Sequence, residues 1–142
     1  SHVGIIILDS DSSLKVIHSV SSTLSDFDGV QIQPLSKFIR ESVPKSVIIV
    51  RYVHTEVAPD KRKAIADQAN LYLEQQIPFD HSFSYSDSTR YFCTELIWRV
   101  FREVFNEEIF PVSTNQSYLD KLRFYHFFDA DKFEIIINHQ RN

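Results

Sequence analysis

The single cysteine and the six histidines are the side chains of this chain best suited to covalent chemistry. A thiolate attacks carbonyl carbon, and a nearby histidine can accept the thiol proton and later donate it to the leaving group. The sequence predicts that Cys93 lies in the first turn of a helix, where the dipole and unpaired N–H groups lower a thiol pKa. Those N–H groups could also hold a developing oxyanion. These are the parts of an acyl-transfer site.

The helix is predicted from apolar residues at i, i+3, i+4, i+7 and i+8, which give it one buried face. Cys93 lies four residues before the first of them, on the same face, and we expect the helix to start near Tyr91 with Asp87 or Ser88 as its cap. The apolar positions are Ile97, Val100, Phe101, Val104 and Phe105.

A plain alternative exists for each of these residues. Free cysteines are often buried and inert, so Cys93 could simply fill the core. With several histidines in one chain, some pair will lie close by chance. His81, in the polar loop before the helix, is a rival to His2 as the base. Spacing alone does not select among His2, His18, His54, His81, His126 and His139.

A predicted hairpin joins two of the histidines. Residues 3–8 are apolar and β-branched, residues 9–13 are turn formers, and residues 14–20 alternate as a strand does. Paired positions in a hairpin lie about 5 Å apart. We therefore expect His2 and His18 to be cross-strand neighbours.

The rest of the chain indicates an α+β fold. Strands are expected at 29–33 and 46–53, a helical turn at 35–42, a helix from Pro59 to about residue 75, a loop at 78–88, a turn at 116–122 and a closing hairpin of 124–128 with 133–137. This pattern predicts an antiparallel sheet or small barrel of about five or six strands, packed with two main helices. The expected inward stripe of the helix after Pro59 is Ile65, Ala69, Tyr72, Leu73 and Gln76.

Composition narrows the classes of function. The chain has 142 residues, 43% of them hydrophobic, which fits one domain spanning residues 1–142. A net charge of −4 disfavours nucleic acid as a partner. No apolar run reaches the roughly 20 residues of a transmembrane segment, and one cysteine cannot form an internal disulfide. Because the chain opens on Ser1-His2-Val3, we expect that a preceding segment was removed.

Two motifs resemble a known family. Residues 91–98, Tyr-Phe-Cys-Thr-Glu-Leu-Ile-Trp, resemble the Tyr-Cys-Ser/Thr-Glu-Leu signature of the permuted papain-like amidases of the NlpC/P60 superfamily, the YiiX/YaeF-like group. Residues 1–6, Ser-His-Val-Gly-Ile-Ile, resemble the histidine strand of that group. The histidine precedes the cysteine, as in the circularly permuted members and their lecithin retinol acyltransferase relatives. Phe79-Asp80 with Phe83 also resembles landmarks before the cysteine helix.

The resemblance implies roles for individual residues. Cys93 would be the nucleophile, His2 the base, and His18, on the following strand, the residue that orients His2. Many members carry Glu where His18 stands, a departure that brings the site nearer to the acyltransferase branch. Glu95 would support the helix start, and Tyr91 would pack beside the site or face it.

The resemblance implies an amidase or peptidase that works through a thioester, without a cofactor. Its partner would be a small-molecule or peptide substrate, such as a peptidoglycan fragment or an N-acyl amino compound, and cell-wall substrates would require a periplasmic or secreted location. The alternatives are a lipid-directed acyltransferase or thioesterase, and a noncatalytic ligand-binding module. Zinc bound by His2, His18 and Cys93 is a weaker idea.

Overall fold

The computed structural model describes residues 1–54, 59–106 and 124–140. The predicted helical turn at 116–122 lies outside the described residues. The elements in chain order are β1 (Ile5–Leu8), β2 (Leu14–Val20), β3 (Gly29–Pro34), α1 (Leu35–Glu41), β4 (Ile48–Tyr52), α2 (Pro59–Glu74), α3 (Cys93–Phe105), a 3₁₀ helix (Phe124–Phe128) and β5 (Phe133–Asn138). The predicted α+β class is confirmed.

The first three strands form one antiparallel sheet in the order β1-β2-β3. The predicted hairpin is confirmed: Ile5 pairs with Ile17 and Leu8 with Leu14, and the turn closes where the Asp9 N–H donates to the carbonyl of Ser13 at 2.9 Å. This register places the residues before β1 beside the second half of β2.

The predicted closing hairpin is wrong. Residues 124–128 form the 3₁₀ helix, and β5 pairs with β4 in a separate two-stranded antiparallel sheet. The compact turn directs Phe127 into the core, where its ring lies 5.6 Å from that of Phe133 and only 9% of the residue is exposed. A strand would have left the aromatic run 124–128 divided between two faces.

Helices α2 and α3 cover the three-stranded sheet. Leu96 and Val100 of α3 and Ile17 of β2 are fully buried, and α2 contributes Ala69. The expected inward position of Gln76 is wrong, because α2 ends at Glu74 and Gln76 has a φ of 53°, which turns the chain away. None of the helices in the described part of the chain has the length and apolar character that a bilayer crossing requires.

The predicted cap of α3 is also wrong. Residues 79 and 91 form a parallel bridge, and the Tyr91 N–H donates to the carbonyl of Pro78 at 3.0 Å, so the backbone there is extended and the helix begins only at Cys93. The Glu95 carboxylate accepts a hydrogen bond from the Phe92 N–H at 3.4 Å and caps the helix from inside its first turn. Asp87 instead binds the Thr89 N–H at 2.9 Å.

The absence of a side chain at Gly29 allows β3 to lie close to the chain that leads to α3. Its φ is +102°, a conformation that L side chains rarely adopt. A Cβ there would collide with the carbonyl oxygen of Ile77 and lie 2.8 Å from the Cα of Pro78. The Val30 N–H donates to the same Ile77 carbonyl at 2.9 Å, so the collision would fall on backbone that cannot simply move aside.

We predict that Gly29→Ala lowers the free energy of unfolding by about 2–3 kcal/mol, because it adds backbone strain to a steric collision. Urea denaturation followed by circular dichroism measures the change. Ser36→Ala, at an exposed position of α1, is the control and should change stability by less than about 0.5 kcal/mol. An equally small loss in Gly29→Ala would contradict this account of the β3 junction.

Candidate active site

The side chains of His2 and His18 meet where the segment before β1 lies beside β2, the central strand of the first sheet. His2 Nε2 lies 2.7 Å from His18 Nδ1, and the ring centroids are 5.0 Å apart. His18 is buried, with 5% of its surface exposed, whereas His2 keeps an exposed part. The predicted cross-strand pair is therefore present as a direct hydrogen bond.

Gly4 allows this approach. A Cβ at Gly4 would collide with the Cγ1 of Val16 and would lie 3.1 Å from the Cβ of His18. The missing side chain lets the residues before β1 lie flat against β2, and this brings His2 within reach of His18. This steric requirement explains the glycine two residues after His2 in the histidine motif.

Cys93 is the first residue of α3, as the sequence predicts to within two residues. Its thiol lies beside backbone N–H groups of Val3, Cys93 and Thr94, each of which favours the thiolate and lowers the thiol pKa. The Val3 contact matters most for the site, because Val3 directly follows His2. It brings the histidine segment against the start of the cysteine helix.

The expected depressed pKa of Cys93 is wrong for this structure. Burial raises the thiol pKa above its ordinary value, and the opposing effect of the N–H groups of Thr94 and Val3 is smaller. A helix N-terminus favours a thiolate, whereas the loss of water around the sulfur disfavours it. At Cys93 the second effect is the larger. The thiol is therefore neutral at rest near pH 7.

Both imidazoles are also neutral at rest. Burial, together with the proximity of His2, lowers the pKa of His18 to about 3. Burial lowers the pKa of His2. A hydrogen bond between neutral imidazoles needs one donor and one acceptor, so a single proton lies between His2 Nε2 and His18 Nδ1.

The predicted supporting role of Glu95 agrees with its contacts. The residue is fully buried, and burial raises its pKa to about 7 although Arg99 opposes the shift. Arg99 Nε donates to Glu95 Oε2 at 2.9 Å, and Arg99 Nη2 donates to the carbonyl oxygens of Tyr85 at 3.1 Å and Asp87 at 3.4 Å. The pair thus ties the preceding loop to the first turns of α3.

Tyr91 packs in the core. Its ring makes a T-shaped contact with Tyr72 at 5.1 Å, and the Arg99 guanidinium lies 4.9 Å from its centroid. Burial raises the Tyr91 pKa to about 12, and its carbonyl oxygen accepts a hydrogen bond from the Ser19 hydroxyl at 2.6 Å. These contacts support packing over a role facing the thiol.

His81, the rival base, is engaged elsewhere. Its Nε2 lies 3.1 Å from Asp28 Oδ1, and its ring packs against Phe79 at 5.0 Å. Asp28 also accepts a hydrogen bond from the Phe79 N–H at 3.3 Å. His81 therefore belongs to a contact between the β2–β3 loop and the loop before α3.

Sequence reasoning missed two aromatic residues near the site. Phe38 of α1 contacts the rings of both His2 and His18, at 5.8 and 5.5 Å. Burial, with smaller contributions from Glu95 and Cys93, raises the Tyr85 pKa to about 12. No motif marks either residue, because α1 and the loop before α3 reach the site only through the tertiary fold.

The geometry of the histidine pair does not suit a shared metal ion. Two nitrogens bound to one zinc ion, each at about 2.0–2.1 Å, would be separated by about 3.3 Å. The observed 2.7 Å between His2 and His18 is the length of a hydrogen bond. In the described part of the chain, no three His, Cys, Asp or Glu side chains are grouped closely enough to hold a metal ion together.

Comparison with solved structures finds a similar fold. The crystal structure of the metalloprotein yiiX from Escherichia coli O157:H7 matches with a TM-score of 0.70 and 17% sequence identity, covering 97% of this chain and 82% of that chain. Comparison with curated proteins finds no match.

Comparison with protein families gives the family directly. The model described as "permuted papain-like amidase enzyme, YaeF/YiiX, C92 family" matches residues 1–121, which include both histidines of the pair and the cysteine. The match therefore covers most of the chain and agrees with the motifs around His2 and Cys93. The chain belongs to the C92 family of permuted papain-like amidases.

Proposed function

We propose that this protein is a cysteine amidase in which Cys93 is the nucleophile, His2 the general base and His18 the residue that orients His2. The observation that carries the proposal is the 2.7 Å hydrogen bond between His2 and His18, next to the segment that packs on the thiol. Such proximity supports the roles of a nucleophile, a base and an orienting residue.

In the acylation step, the Cys93 sulfur attacks the amide carbonyl carbon while His2 accepts the thiol proton. Because Nε2 of His2 is bound to His18, Nδ1 is the nitrogen available to the thiol. The carbon–sulfur bond forms, the carbonyl becomes an oxyanion, and N–H groups at the start of α3 can stabilise it. The intermediate then collapses, the carbon–nitrogen bond breaks, and His2 returns the proton to the leaving amine.

In the deacylation step, water attacks the thioester. His2 accepts a proton from the water, the carbon–sulfur bond breaks, and the proton returns to the sulfur of Cys93 as the acid product leaves. Whenever His2 is neutral, His18 holds it in the tautomer whose Nδ1 lone pair faces the thiol. No cofactor is needed to balance either step.

The pKa shifts of Cys93 and His2 favour a neutral thiol and imidazole at rest over a thiolate–imidazolium pair. The Cys93 pKa is raised and the His2 pKa is lowered, both chiefly by burial. Proton transfer to His2 therefore accompanies attack on the substrate. Activity should need neutral His2, so the acid limb of the pH profile should lie below the ordinary histidine value of 6.5.

The family suggests the substrate class. We propose a small amide, either a peptidoglycan fragment or an N-acyl amino compound, whose acyl carbon reaches Cys93. Phe38, beside the histidine pair, would offer the substrate an apolar neighbour.

One observation favours a second candidate, transfer of a lipid-like acyl group to an alcohol or amine. The loop that follows the His18 strand carries exposed apolar side chains, with Leu24 84% and Phe27 72% exposed. Acceptor partitioning distinguishes the two activities: a transferase forms more acyl-acceptor product when an alcohol is added, whereas an amidase releases mainly the free acid.

We predict that Cys93→Ala lowers kcat/KM by at least about 10³-fold, because no other group can form the thioester. The assay would follow amine release from a panel of N-acyl amino acid anilides and muropeptides. Ser88→Ala, at an exposed position in the loop before α3, is the matched control and should retain activity. Equal turnover by Cys93→Ala would overturn the proposal.

We predict that iodoacetamide alkylates Cys93 with a midpoint above the ordinary thiol pKa of about 8.5, because burial disfavours the thiolate. The rate of alkylation between pH 5 and 10 measures the midpoint. In the same enzyme, kcat/KM should fall only below pH 6.5, as His2 becomes protonated. In His2→Ala this acid limb should disappear along with most of the activity. A midpoint below pH 7 would indicate an ion pair instead.

We predict that His18→Ala lowers kcat by about 10²–10⁴-fold with little change in KM, because His2 loses the partner that fixes its tautomer. Steady-state kinetics measures both constants. His18→Asn retains a hydrogen-bond acceptor and should recover part of the loss. If the two variants behaved alike and both remained near wild-type kcat, His18 would have no orienting role.

A further inference from the structure

Two consecutive residues of strand β2 reach different parts of the candidate site. His18 makes the 2.7 Å hydrogen bond with His2. The next residue, Ser19, donates a hydrogen bond from its hydroxyl to the carbonyl oxygen of Tyr91 at 2.6 Å. Tyr91 lies two residues before Cys93. The same short stretch of β2 therefore contacts the histidine pair and the chain that leads into the cysteine helix.

The hydrogen bond from Ser19 to Tyr91 is buried and joins residues that are 72 positions apart in the sequence. Ser19 has no exposed surface, and Tyr91 is only 5% exposed, so water does not compete for either group. The backbone at Ser19 is held by the sheet, where this residue pairs with Val30 of β3. A serine hydroxyl is one torsion away from the backbone, and the hydroxyl therefore fixes its acceptor closely relative to β2.

The other hydrogen bonds of Tyr91 fix it to a different part of the chain. Its N–H donates to the carbonyl oxygen of Pro78 at 3.0 Å, and its carbonyl oxygen also accepts from the Asp80 N–H at 3.3 Å. These two bonds join Tyr91 to the loop before α3, whereas the bond from the Ser19 hydroxyl joins it to β2. Loss of that hydroxyl would leave the loop contacts in place and remove a direct restraint to the sheet.

The position of the Tyr91 carbonyl is passed on to the thiol through one residue. Phe92 is fully buried and extended, with φ −88° and ψ 175°, and its own carbonyl oxygen accepts the Leu96 N–H at 3.1 Å in the first turn of α3. Cys93 follows as the first helical residue. A shift of the chain at Tyr91 would therefore move the start of the helix, and the sulfur with it.

We propose that Ser19 is a positioning residue, whose hydroxyl ties the chain before Cys93 to the strand that carries His18 and so sets where the thiol lies relative to the histidine pair. The inference rests on the proposed function, because the placement matters for catalysis only if the thiol reacts with the help of His2. Reacting groups must be held close to their productive geometry, and a misplacement of about 1 Å can cost about 10²-fold in rate.

Three variants test the role of the hydroxyl. Ser19→Ala removes the donor at the loss of one oxygen atom, and Ser19→Thr keeps a hydroxyl at the same position. Ser21→Ala is the matched control, because Ser21 is also buried, at 9% exposed, and its hydroxyl lies 2.9 Å from the Thr23 hydroxyl in its own loop. Circular dichroism establishes that each variant is folded.

Two measurements report on the thiol. The rate of iodoacetamide alkylation at a fixed pH needs no substrate, and it reports on Cys93 alone because the chain has a single cysteine. Alkylation follows access to the sulfur and the fraction of thiolate, both of which burial keeps low. Steady-state kinetics on an amide substrate gives kcat and KM for the same samples.

We expect Ser19→Ala to be alkylated roughly threefold faster or more than wild type, because a loosened helix start exposes the sulfur. In the same variant, kcat should fall roughly tenfold with KM nearly unchanged, since the thiol is misplaced although the substrate still binds. Ser19→Thr should recover both values at least in part, and Ser21→Ala should match wild type in both.

A folded Ser19→Ala protein with the wild-type alkylation rate would overturn the inference, whatever its kcat. An equal effect of Ser21→Ala on both readouts would also overturn it, because the loss of any buried hydroxyl would then suffice. Faster alkylation of Ser19→Ala, found while even wild type hydrolyses no amide, would contradict the proposed function and still support Ser19 as the residue that holds Cys93 in place.

Discussion

The close approach of the segment before β1 to strand β2 is the constraint on which the site depends. A side chain at Gly4 would collide with Val16, so only a glycine allows His2 to reach His18 at 2.7 Å. The same segment presents the Val3 N–H to Cys93. One tight strand contact therefore brings His2, His18 and the start of the cysteine helix together.

Burial then decides the electrostatics of the site. It raises the Cys93 pKa and lowers that of both histidines, so the three groups are neutral at rest near pH 7. A neutral thiol is protected from alkylation and oxidation, since both reactions require the thiolate. Charge that appears during the reaction would be met by N–H groups already fixed by the helix, whose start is held by Glu95 and Arg99.

Local patterns in the sequence predicted much of this structure, and tertiary contacts account for what they missed. The turn between two apolar runs gave the β1–β2 hairpin, and helical spacing gave α3. The cap at Asp87 or Ser88 failed because the bridge between residues 79 and 91 keeps the chain extended up to Cys93. The sign of the Cys93 pKa shift failed because burial has no local signature. Phe38 was missed because α1 reaches the site only through the tertiary fold.

Trapping the acyl-enzyme tests most directly whether Cys93 is the nucleophile. Wild-type protein would be mixed with an activated N-acyl amino ester, quenched in acid within milliseconds to seconds, and analysed by intact mass and peptide mapping. If Cys93 is the nucleophile, one acyl group is added on the peptide that contains Cys93, and it accumulates slowly in His2→Ala. A protein that turns the substrate over with no acyl group on Cys93, or with the group on another residue, would contradict the assignment of Cys93 as the nucleophile.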